Sequence, residues 1–493
     1  MSDPRIPAGQ AEDPGIPAGT DAAGADVAGP GEAGSGPAGS DSAGSDSAGP
    51  GTAGPAAAVP AAGLHAQDPG PTPSPFAGLG RSLDRGVSRG LAMVTGSALG
   101  PYQAAVIRIG FSLTWLLFLL REWPHRSELY GPDSPWTFDL AKRLVAGNHA
   151  FTAVLWSDSR GWFELVYAVA IVSSAMLLVG WRTRTASVLF MLGVLSLQNR
   201  SVFMGDGGDN VIHLMAIYLV FTRCGQVWSI DRRNAARAQA RAAARGDSEA
   251  GAASSAQADP VGIALWTLLA AALVAATVAG KLGTEWKAAL WAALLAQALW
   301  WAVRRYAPGE PRTVLNTMAD IIHNGAMLVV VVEVCLIYST AGWYKIQGSR
   351  WEDGTALYYP LHLDDFTPWP SLSHALAGNS LMVMLITYGT VMVQVAFPFT
   401  LFNRKVKNVL LAAMILEHAS IAIVLGLPFF SLAMIAADAV FLPTGFLRWL
   451  GERLSRPLRR PALPQAAAVP GPRPADADAG QPSAGQPPTE AVT

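Results

Sequence analysis

The sequence predicts an all-α, polytopic membrane protein in which a bundle of about ten transmembrane helices lies between two disordered tails. Three observations carry the prediction: long apolar segments recur through the middle of the chain, the loops between them are alternately rich and poor in Lys and Arg, and both ends are polar and repetitive. The net charge of −1 over 493 residues gives no basic surplus of the kind that indicates a nucleic-acid partner.

Composition divides the chain into three parts. Residues 1–80 are predicted to be a disordered cytoplasmic tail, because Gly, Ala, Pro, Ser and Asp dominate and few large apolar side chains are available for burial. Residues 81–450 form the predicted transmembrane domain, and 451–493 form a basic and then disordered tail. No cleavable signal peptide is predicted. Cys224 and Cys335 lie in apolar segments and are interpreted as core residues, so neither a disulfide nor a metal site is indicated.

Ten apolar segments are candidates for crossing a bilayer, which takes about 20 helical residues. The predicted spans are 102–121, 162–180, 185–204, 209–223, 261–280, 286–303, 318–346, 380–402, 407–426 and 428–447. The fourth is short, so protein or water is expected to shelter its outer end.

Lys and Arg residues mark every second loop, and such residues are retained on the cytoplasmic side. The basic loops contain Arg182 and Arg184, then six arginines from Arg223 to Arg245, then Arg304, Arg305 and Arg312, then Arg404, Lys405 and Lys407. We therefore expect both termini to be cytoplasmic and the protein to be integral to the plasma (inner) membrane, in contact with the lipid bilayer.

Ionisable residues within the apolar segments are candidates for a functional cluster, because such side chains are costly in lipid and usually face the bundle interior. They are Arg108, His213, His323, Glu333, Glu417, His418 and Asp438. Glu333 lies about 18 Å along the helix from Lys345, and Glu417, His418 and Asp438 fall at comparable depth. One buried polar cluster is predicted, with Arg108 as its positive member. The alternative is that these groups pair only to fix helix packing.

A second group lies at the predicted outer end of segment 209–223. Asp209 and His213 are four residues apart and share a helix face, with Asn210 beside them. The glycines before Asp209 permit a tight backbone entry. The alternative interpretation is a helix cap, in which Asp209 accepts hydrogen bonds from the first turn.

Lys345 ends the predicted span 318–346 and is flanked by Trp343, Tyr344 and Trp351. Within an aromatic pocket the neutral amine would be favoured and could act as a general base. The alternative is a cation that extends to the headgroups.

Three stretches resemble the HTTM family, the membrane domains similar to the membrane part of vitamin K-dependent gamma-glutamyl carboxylase. They are Arg108-Ile-Gly, the run from Gly205-Asp-Gly-Gly-Asp-Asn to Trp228-Ser-Ile-Asp231, and the run from Ala341-Gly-x-x-Lys345 through Trp351-x-x-Gly354. The resemblance covers about residues 100–447, apart from an additional hairpin at 261–303. In place of the Asn-His pair of the carboxylase, this chain has Asp209 and Asn210, with His213 one turn later.

The resemblance implies a carboxylase-like enzyme in which Lys345 deprotonates a reduced quinone (vitamin K or menaquinol-like) at the outer face. Lys345, His213 and Asp209 would be catalytic, and the pocket would comprise Asn210, Trp343, Tyr344, Trp351, Gly354, Arg108 and the buried cluster. An exported peptide or another lipid-soluble molecule is the expected substrate. The competing hypothesis, from another class, is a non-catalytic membrane scaffold or transporter.

Overall fold

The computed structural model describes residues 75–244, 259–307 and 309–455, and every regular element within these ranges is helical. The α-helices are α1 (Pro75–Gly96), α2 (Pro101–Arg121), α3 (Arg126–Leu129), α4 (Phe138–Asn148), α5 (Arg160–Val179), α6 (Thr183–Gln198), α7 (Gly207–Phe221), α8 (Ile230–Ala244), α9 (Pro260–Val278), α10 (Thr284–Tyr306), α11 (Glu310–Ile346), α12 (Ser349–Glu352), α13 (Pro370–Ala377), α14 (Ser380–Ala396), α15 (Arg404–Val424), α16 (Pro428–Asp438) and α17 (Thr444–Ser455). Short 3-10 helices lie at Trp123–His125, Val154–Trp156, Ala356–Tyr358, Pro360–His362, Asp364–Phe366, Phe397–Thr400 and Ala439–Phe441. The all-α prediction is confirmed over these residues.

The two predicted tails lie almost wholly outside the described residues, and their disorder stays a prediction. At residues 75–80 the prediction is wrong, because α1 begins at Pro75. Val87, Leu91 and Val94 form an exposed apolar stripe along α1, with spacings of four and three residues. A helix with this pattern is typical of the membrane interface.

Six helices in the described part of the chain are long and apolar enough to cross a membrane. They are Pro101–Arg121, Arg160–Val179, Pro260–Val278, Glu310–Ile346, Ser380–Thr400 and Arg404–Val424. Each coincides with a predicted span. The chain is therefore a membrane-embedded protein, whereas the predicted total of ten spans is not confirmed.

The four other predicted spans are helical but differ from a simple crossing. Helices α6 and α7 have 16 and 15 residues, fewer than a full span needs, and α10 is long enough but less apolar than the six. The prediction of one helix over 428–447 is wrong, since the chain bends by 118° between α16 and α17. Leu442 is extended there and precedes Pro443, which restricts Leu442 and cannot donate a helical hydrogen bond.

Helix α2 lies in the core and packs against α5, α7 and α16. Its direction relative to α5 is antiparallel, because Tyr167 near the start of α5 donates to the Leu119 carbonyl near the end of α2, at 2.7 Å. At Gly110 an added Cβ would lie 2.4 Å from the Cβ of Ala436. This glycine therefore permits the close approach of α2 and α16.

Ion pairs tie the helices together at one end of the bundle, which we call the basic end. Arg182, between α5 and α6, pairs with Asp259 before α9, and Arg223, after α7, pairs with Asp320 of α11. Hydrogen bonds from Arg182 lower the pKa of Asp259 below its ordinary value. His323 accepts from the backbone N–H of Arg223 at Nδ1, and its Nε2 lies 2.9 Å from the Leu99 carbonyl oxygen. His323, one of the ionisable residues predicted to form a cluster, thus links the segment after α1 to the segment after α7.

Helix α11 is the longest element, with 37 residues and a length of about 55 Å. It packs against α1, α7 and α14. Since the hydrocarbon core of a bilayer is about 30 Å thick, α11 extends well beyond one crossing and links the basic end to the opposite end, where Lys345 lies.

Candidate functional site

The Lys345 amine is directed into the protein at the last turn of α11. Its Nζ donates a hydrogen bond of 2.8 Å to Oε1 of Gln394 on α14 and lies 5.3 Å from the ring centroid of Trp351. The residue is half-buried. This position differs from that of a cation extended to the headgroups, because both the polar and the aromatic contact are made by other parts of the fold.

Gln394 connects Lys345 to a carboxyl group. Its side-chain amide is buried, and its Nε2 donates a 2.6 Å hydrogen bond to Oε1 of Glu417 on α15. The three side chains therefore link α11, α14 and α15. The sequence interpretation missed Gln394 because it considered only ionisable residues, although an amide within an apolar helix is itself a polar group that needs a partner.

Tyr338, His418 and Asp438 form a second chain of polar contacts in the core. The Tyr338 hydroxyl donates to Oδ1 of Asp438 at 2.9 Å and lies 3.0 Å from Nε2 of His418. Because this hydroxyl has one proton, His418 completes the chain by donating from Nε2, which leaves its Nδ1 as an acceptor. All three residues are buried. The prediction that His418 and Asp438 share an interior site agrees with this arrangement, and Tyr338 joins them.

The two chains of contacts are neighbours, and together we call them the polar network: Lys345, Gln394, Glu417, Tyr338, His418 and Asp438. Glu417 precedes His418 in the sequence and lies close enough to Tyr338 and Asp438 to interact electrostatically. Nδ1 of His418 and Oδ2 of Asp438 are buried without a hydrogen-bond partner. Since buried polar atoms are normally paired, these two atoms have unused capacity to bind a proton or a ligand.

Glu333 does not belong to the polar network, contrary to the sequence prediction. It is half-buried, and no described residue makes a hydrogen bond or an ion pair with it. Five residues separate it from Tyr338, which turns its side chain by about 140° around α11. Similar depth in the membrane therefore did not imply a shared face.

Arg108 is also outside the network, so the prediction that it is the positive member is wrong. Its guanidinium is fully buried and donates to the carbonyl oxygens of Leu177, Leu178 and Trp228, at 2.6, 3.0 and 2.8 Å. The last carbonyls of a helix have no partner within it. Arg108 thus supplies hydrogen-bond donors to carbonyl groups at the end of α5. It also ties the segment after α7 to α2 through the Trp228 carbonyl.

Asp209 and His213 lie in a separate group and make no hydrogen bond to Lys345. Asp206 is the N-cap of α7, and Asp209 accepts from the backbone N–H of Asp206, which completes a capping box. Nδ1 of His213 lies 2.8 Å from Oε1 of Gln198, whose Nε2 donates to the Asp209 carbonyl. The cap interpretation is therefore correct in kind, although Asp206 rather than Asp209 is the N-cap.

Phe430 lies between this cap and the polar network. An added Cβ at Gly208 would come within 2.6 Å of the Phe430 backbone, and the Phe430 ring is 5.6 Å from that of His418. Asn210 is exposed. The predicted common pocket of Lys345, Asp209, Asn210 and His213 is thus replaced by two polar groups on either side of one aromatic residue.

The aromatic residues around Lys345 have different roles. Trp343 and Tyr344 are exposed, which suits aromatic side chains at a membrane interface, whereas Trp351 faces the amine. Gly354 has a φ of +76°, and an added Cβ would lie 3.1 Å from Met384. Gly354 was predicted to line the pocket. The structure instead explains the glycine by a tight turn that packs against α14.

No protein-family model, curated protein or solved structure matches this chain. The resemblance to the HTTM family consequently rests on the three motifs alone. Among the residues that the structure describes, no group of three or more His, Cys, Asp or Glu side chains is arranged to hold a metal ion. The polar network itself offers an amine, two carboxyl groups, a phenol and an imidazole as groups that can exchange protons.

Proposed function

We propose that this protein is a membrane enzyme in which Lys345 acts as a general base on a lipid-soluble substrate at the non-cytoplasmic face. The observation that carries the proposal is the contact of the Lys345 amine with Gln394 and, through it, with Glu417. A base needs a fixed amine that can release and accept a proton. Gln394 supplies an oriented acceptor for the amine, and Glu417 supplies a carboxyl group within two hydrogen bonds.

Reduced quinone is the candidate cofactor, as the resemblance to the carboxylase implies. A quinol has a flat apolar ring and two hydroxyl groups, so its site needs an aromatic wall and a few polar partners. Trp351 provides such a wall beside the amine, and His418 and Asp438 each retain a buried atom with unused hydrogen-bonding capacity. Trp351, His418 and Asp438 would supply the wall and the polar partners, and Lys345 would take the proton from a quinol hydroxyl.

Carboxylase-like chemistry on an exported peptide is the further part of the proposal. It rests on the Ala341-Gly-x-x-Lys345 motif and on the position of Lys345 away from the basic end. Cytoplasmic termini belong to the same proposal. This orientation is supported by the arginines gathered at the basic end, since positive residues mark the cytoplasmic side.

The test is Lys345→Arg, which keeps the positive charge but removes a base that can be neutral. Wild-type protein purified in mild detergent should contain a quinone detectable by mass spectrometry of the lipid extract, and should oxidise added menaquinol in the presence of oxygen. The variant should retain the quinone and lose about 100-fold or more in rate. Lys405→Arg, at an exposed position, is the matched control.

Two results would contradict the proposal. One is full menaquinol oxidation by the Lys345→Arg variant, which would show that the amine is not the base. The other is the absence of quinone from the wild-type extract together with no effect of added menaquinol on thermal stability, which would show that the ligand class is wrong.

A packing role is the second candidate, because Lys345, Gln394 and Glu417 join three helices whatever their chemistry. Replacing all three with apolar residues of similar size should leave stability nearly unchanged or higher under this hypothesis, since buried charged groups are costly. The enzyme hypothesis makes the same stability prediction but requires loss of menaquinol oxidation. Equal oxidation rates in the triple variant and the wild type would therefore favour packing alone.

A further inference from the structure

A cavity of about 260 Å³ lies between helices α5 and α6 on one side and the hairpin α9–α10 on the other. Its walls are almost entirely aliphatic and aromatic, and Leu165, Val169, Leu273 and Leu294 are among them. None of the residues in the polar network lines it. The cavity is formed by the hairpin, so it exists only because this chain carries that segment.

The cavity is elongated along the helices. On α6 it is lined from Thr185 to Ser196, which corresponds to about 16 Å. That length is close to half of the hydrocarbon thickness of a bilayer. An elongated apolar space of one-leaflet length matches a single acyl chain.

The end of the cavity near the basic end is marked by polar and then charged residues. Gln297 of α10 donates to the Thr185 hydroxyl at 3.3 Å. Trp300 follows within one turn of α10, and the guanidinium of Arg184 lies 4.0 Å from its ring centroid. Arg304 follows Gln297 by seven residues and so lies on the same face, two turns nearer the basic end.

Three arginines lie near one another at this end of the cavity, with little negative charge to compensate them. Arg184, Arg223 and Arg304 are close enough to repel one another. Asp320 is paired with Arg223. Among the described residues, no acidic side chain forms an ion pair with Arg184 or Arg304, so two guanidinium groups remain available to an external anion.

The opposite end of the cavity is poorly suited to an anion. Trp156 and Trp162 stack there with ring centroids 5.9 Å apart. The nearby cation, Lys281, already donates to the Trp156 carbonyl at 2.8 Å. The charge distribution therefore orients an amphiphile with its anionic part towards Arg184 and Arg304.

We propose that this space, the cavity together with Arg184 and Arg304, binds one anionic phospholipid. One acyl chain occupies the cavity, and the phosphate lies against the two guanidinium groups, which bind phosphate oxygens well. The basic end is where the loop charges place the cytoplasm, and anionic lipids are concentrated in the cytoplasmic leaflet. An uncharged isoprenoid would use the cavity but not the arginines, and free phosphate would use the arginines but not the cavity.

The test measures lipid retention by the full-length protein in nanodiscs of phosphatidylcholine that contain a minor fraction of phosphatidylglycerol. After extraction into detergent, native mass spectrometry counts the lipids that stay bound. Wild-type protein should retain phosphatidylglycerol in preference to phosphatidylcholine. Arg184→Gln with Arg304→Gln should lower that preference about 25-fold, at about fivefold per arginine.

Three variants separate the contributions. Arg184→Lys with Arg304→Lys keeps the charge and should retain most of the preference for phosphatidylglycerol. That result would also exclude misfolding as the cause of a loss in the double Gln variant. Ala272→Trp fills the cavity and should reduce the retention of both lipids equally. Ala271→Trp, on the exposed side of the same helix, is the matched control and should change neither.

Each remaining outcome would overturn the proposal. Equal retention of the two lipids by wild-type protein would indicate an apolar occupant without an anionic group. Displacement of phosphatidylglycerol by inorganic phosphate at millimolar concentration would indicate a simple anion site. An unchanged preference in the double Gln variant would place the bound lipid elsewhere.

Discussion

Replacing Tyr338 with Phe removes one hydroxyl but two contacts, those to Asp438 and His418. Asp438 is fully buried and its second carboxyl oxygen already has no partner. The variant would therefore leave a buried carboxyl and a buried imidazole without hydrogen bonds.

The magnitude follows from these two groups. A buried polar group that loses its partner costs about 1–3 kcal/mol, so two such groups set a range of about 2–6 kcal/mol. Hydrogen bonds between membrane helices average only about 0.6 kcal/mol, because the unfolded chain in the membrane finds other partners. We therefore expect the lower half of the range, about 2–4 kcal/mol.

Tyr167→Phe is the matched control. Tyr167 is as buried as Tyr338, but its hydroxyl serves a single carbonyl, that of Leu119. Its loss should cost about 0.6–1 kcal/mol. Unfolding can be followed by heating the protein in detergent with a thiol-reactive dye, since Cys224 is 2% exposed in the folded state.

A second variant tests the cause. Adding Asp438→Leu to Tyr338→Phe removes the unpaired carboxyl and should recover part of the lost stability. The reasoning is refuted if Tyr338→Phe costs no more than Tyr167→Phe, or if the added Leu destabilises the protein further.

Three other predictions concern the connections and the topology. Gly180→Ala should destabilise the protein by about 1–3 kcal/mol in the same thermal assay, because Gly180 has a φ of +69° and an added Cβ would lie 2.4 Å from the nearest side chain. Gly389→Ala, inside α14 with open space, should be neutral or stabilise by up to about 1 kcal/mol. The stability difference between wild type and Asp259→Asn should be present at neutral pH and vanish as the pH falls through the lowered pKa of Asp259, because protonation removes the pairing with Arg182. Ser371→Cys in a cysteine-free background should react with an impermeant reagent added to intact cells, since the residue is exposed beyond α11.

A different result would contradict each of these three predictions. Equal effects of Ala at positions 180 and 389 would show that the left-handed backbone is not required at Gly180. A difference for Asp259→Asn that grows on acidification would reverse the sign of the linkage. Labelling of Ser371→Cys only after the cells are opened would invert the proposed orientation.

Helix position was predictable from the sequence because a chain in lipid must satisfy its backbone hydrogen bonds within each segment. Apolar length therefore located the six helices that are long and apolar enough to cross a membrane. The break at Pro443 was not expected, since α16 and α17 together have the length and apolarity of one span and only local backbone geometry separates them. Helix α1 was also missed, because its apolar stripe is interrupted by Gly and Arg residues.

The contacts within the candidate site were less predictable. Depth along a helix can be calculated from residue number, but rotation about the axis decides which side chains meet. Glu333 and Tyr338 illustrate the difference, since the ionisable residue faces away from the network and the phenol joins it. Gln394 was likewise missed, although it brings Lys345 and Glu417 together.

The length of α11 has a mechanical consequence. His323, near the basic end, and Lys345 are 22 residues apart on one uninterrupted helix, which is about 33 Å. A tilt of only about 5° about His323 would move Lys345 by about 3 Å, comparable with the 2.8 Å bond that joins it to Gln394. A tilt of that size would therefore be enough to break or to form the hydrogen bond between Lys345 and Gln394 without any change inside the helix itself.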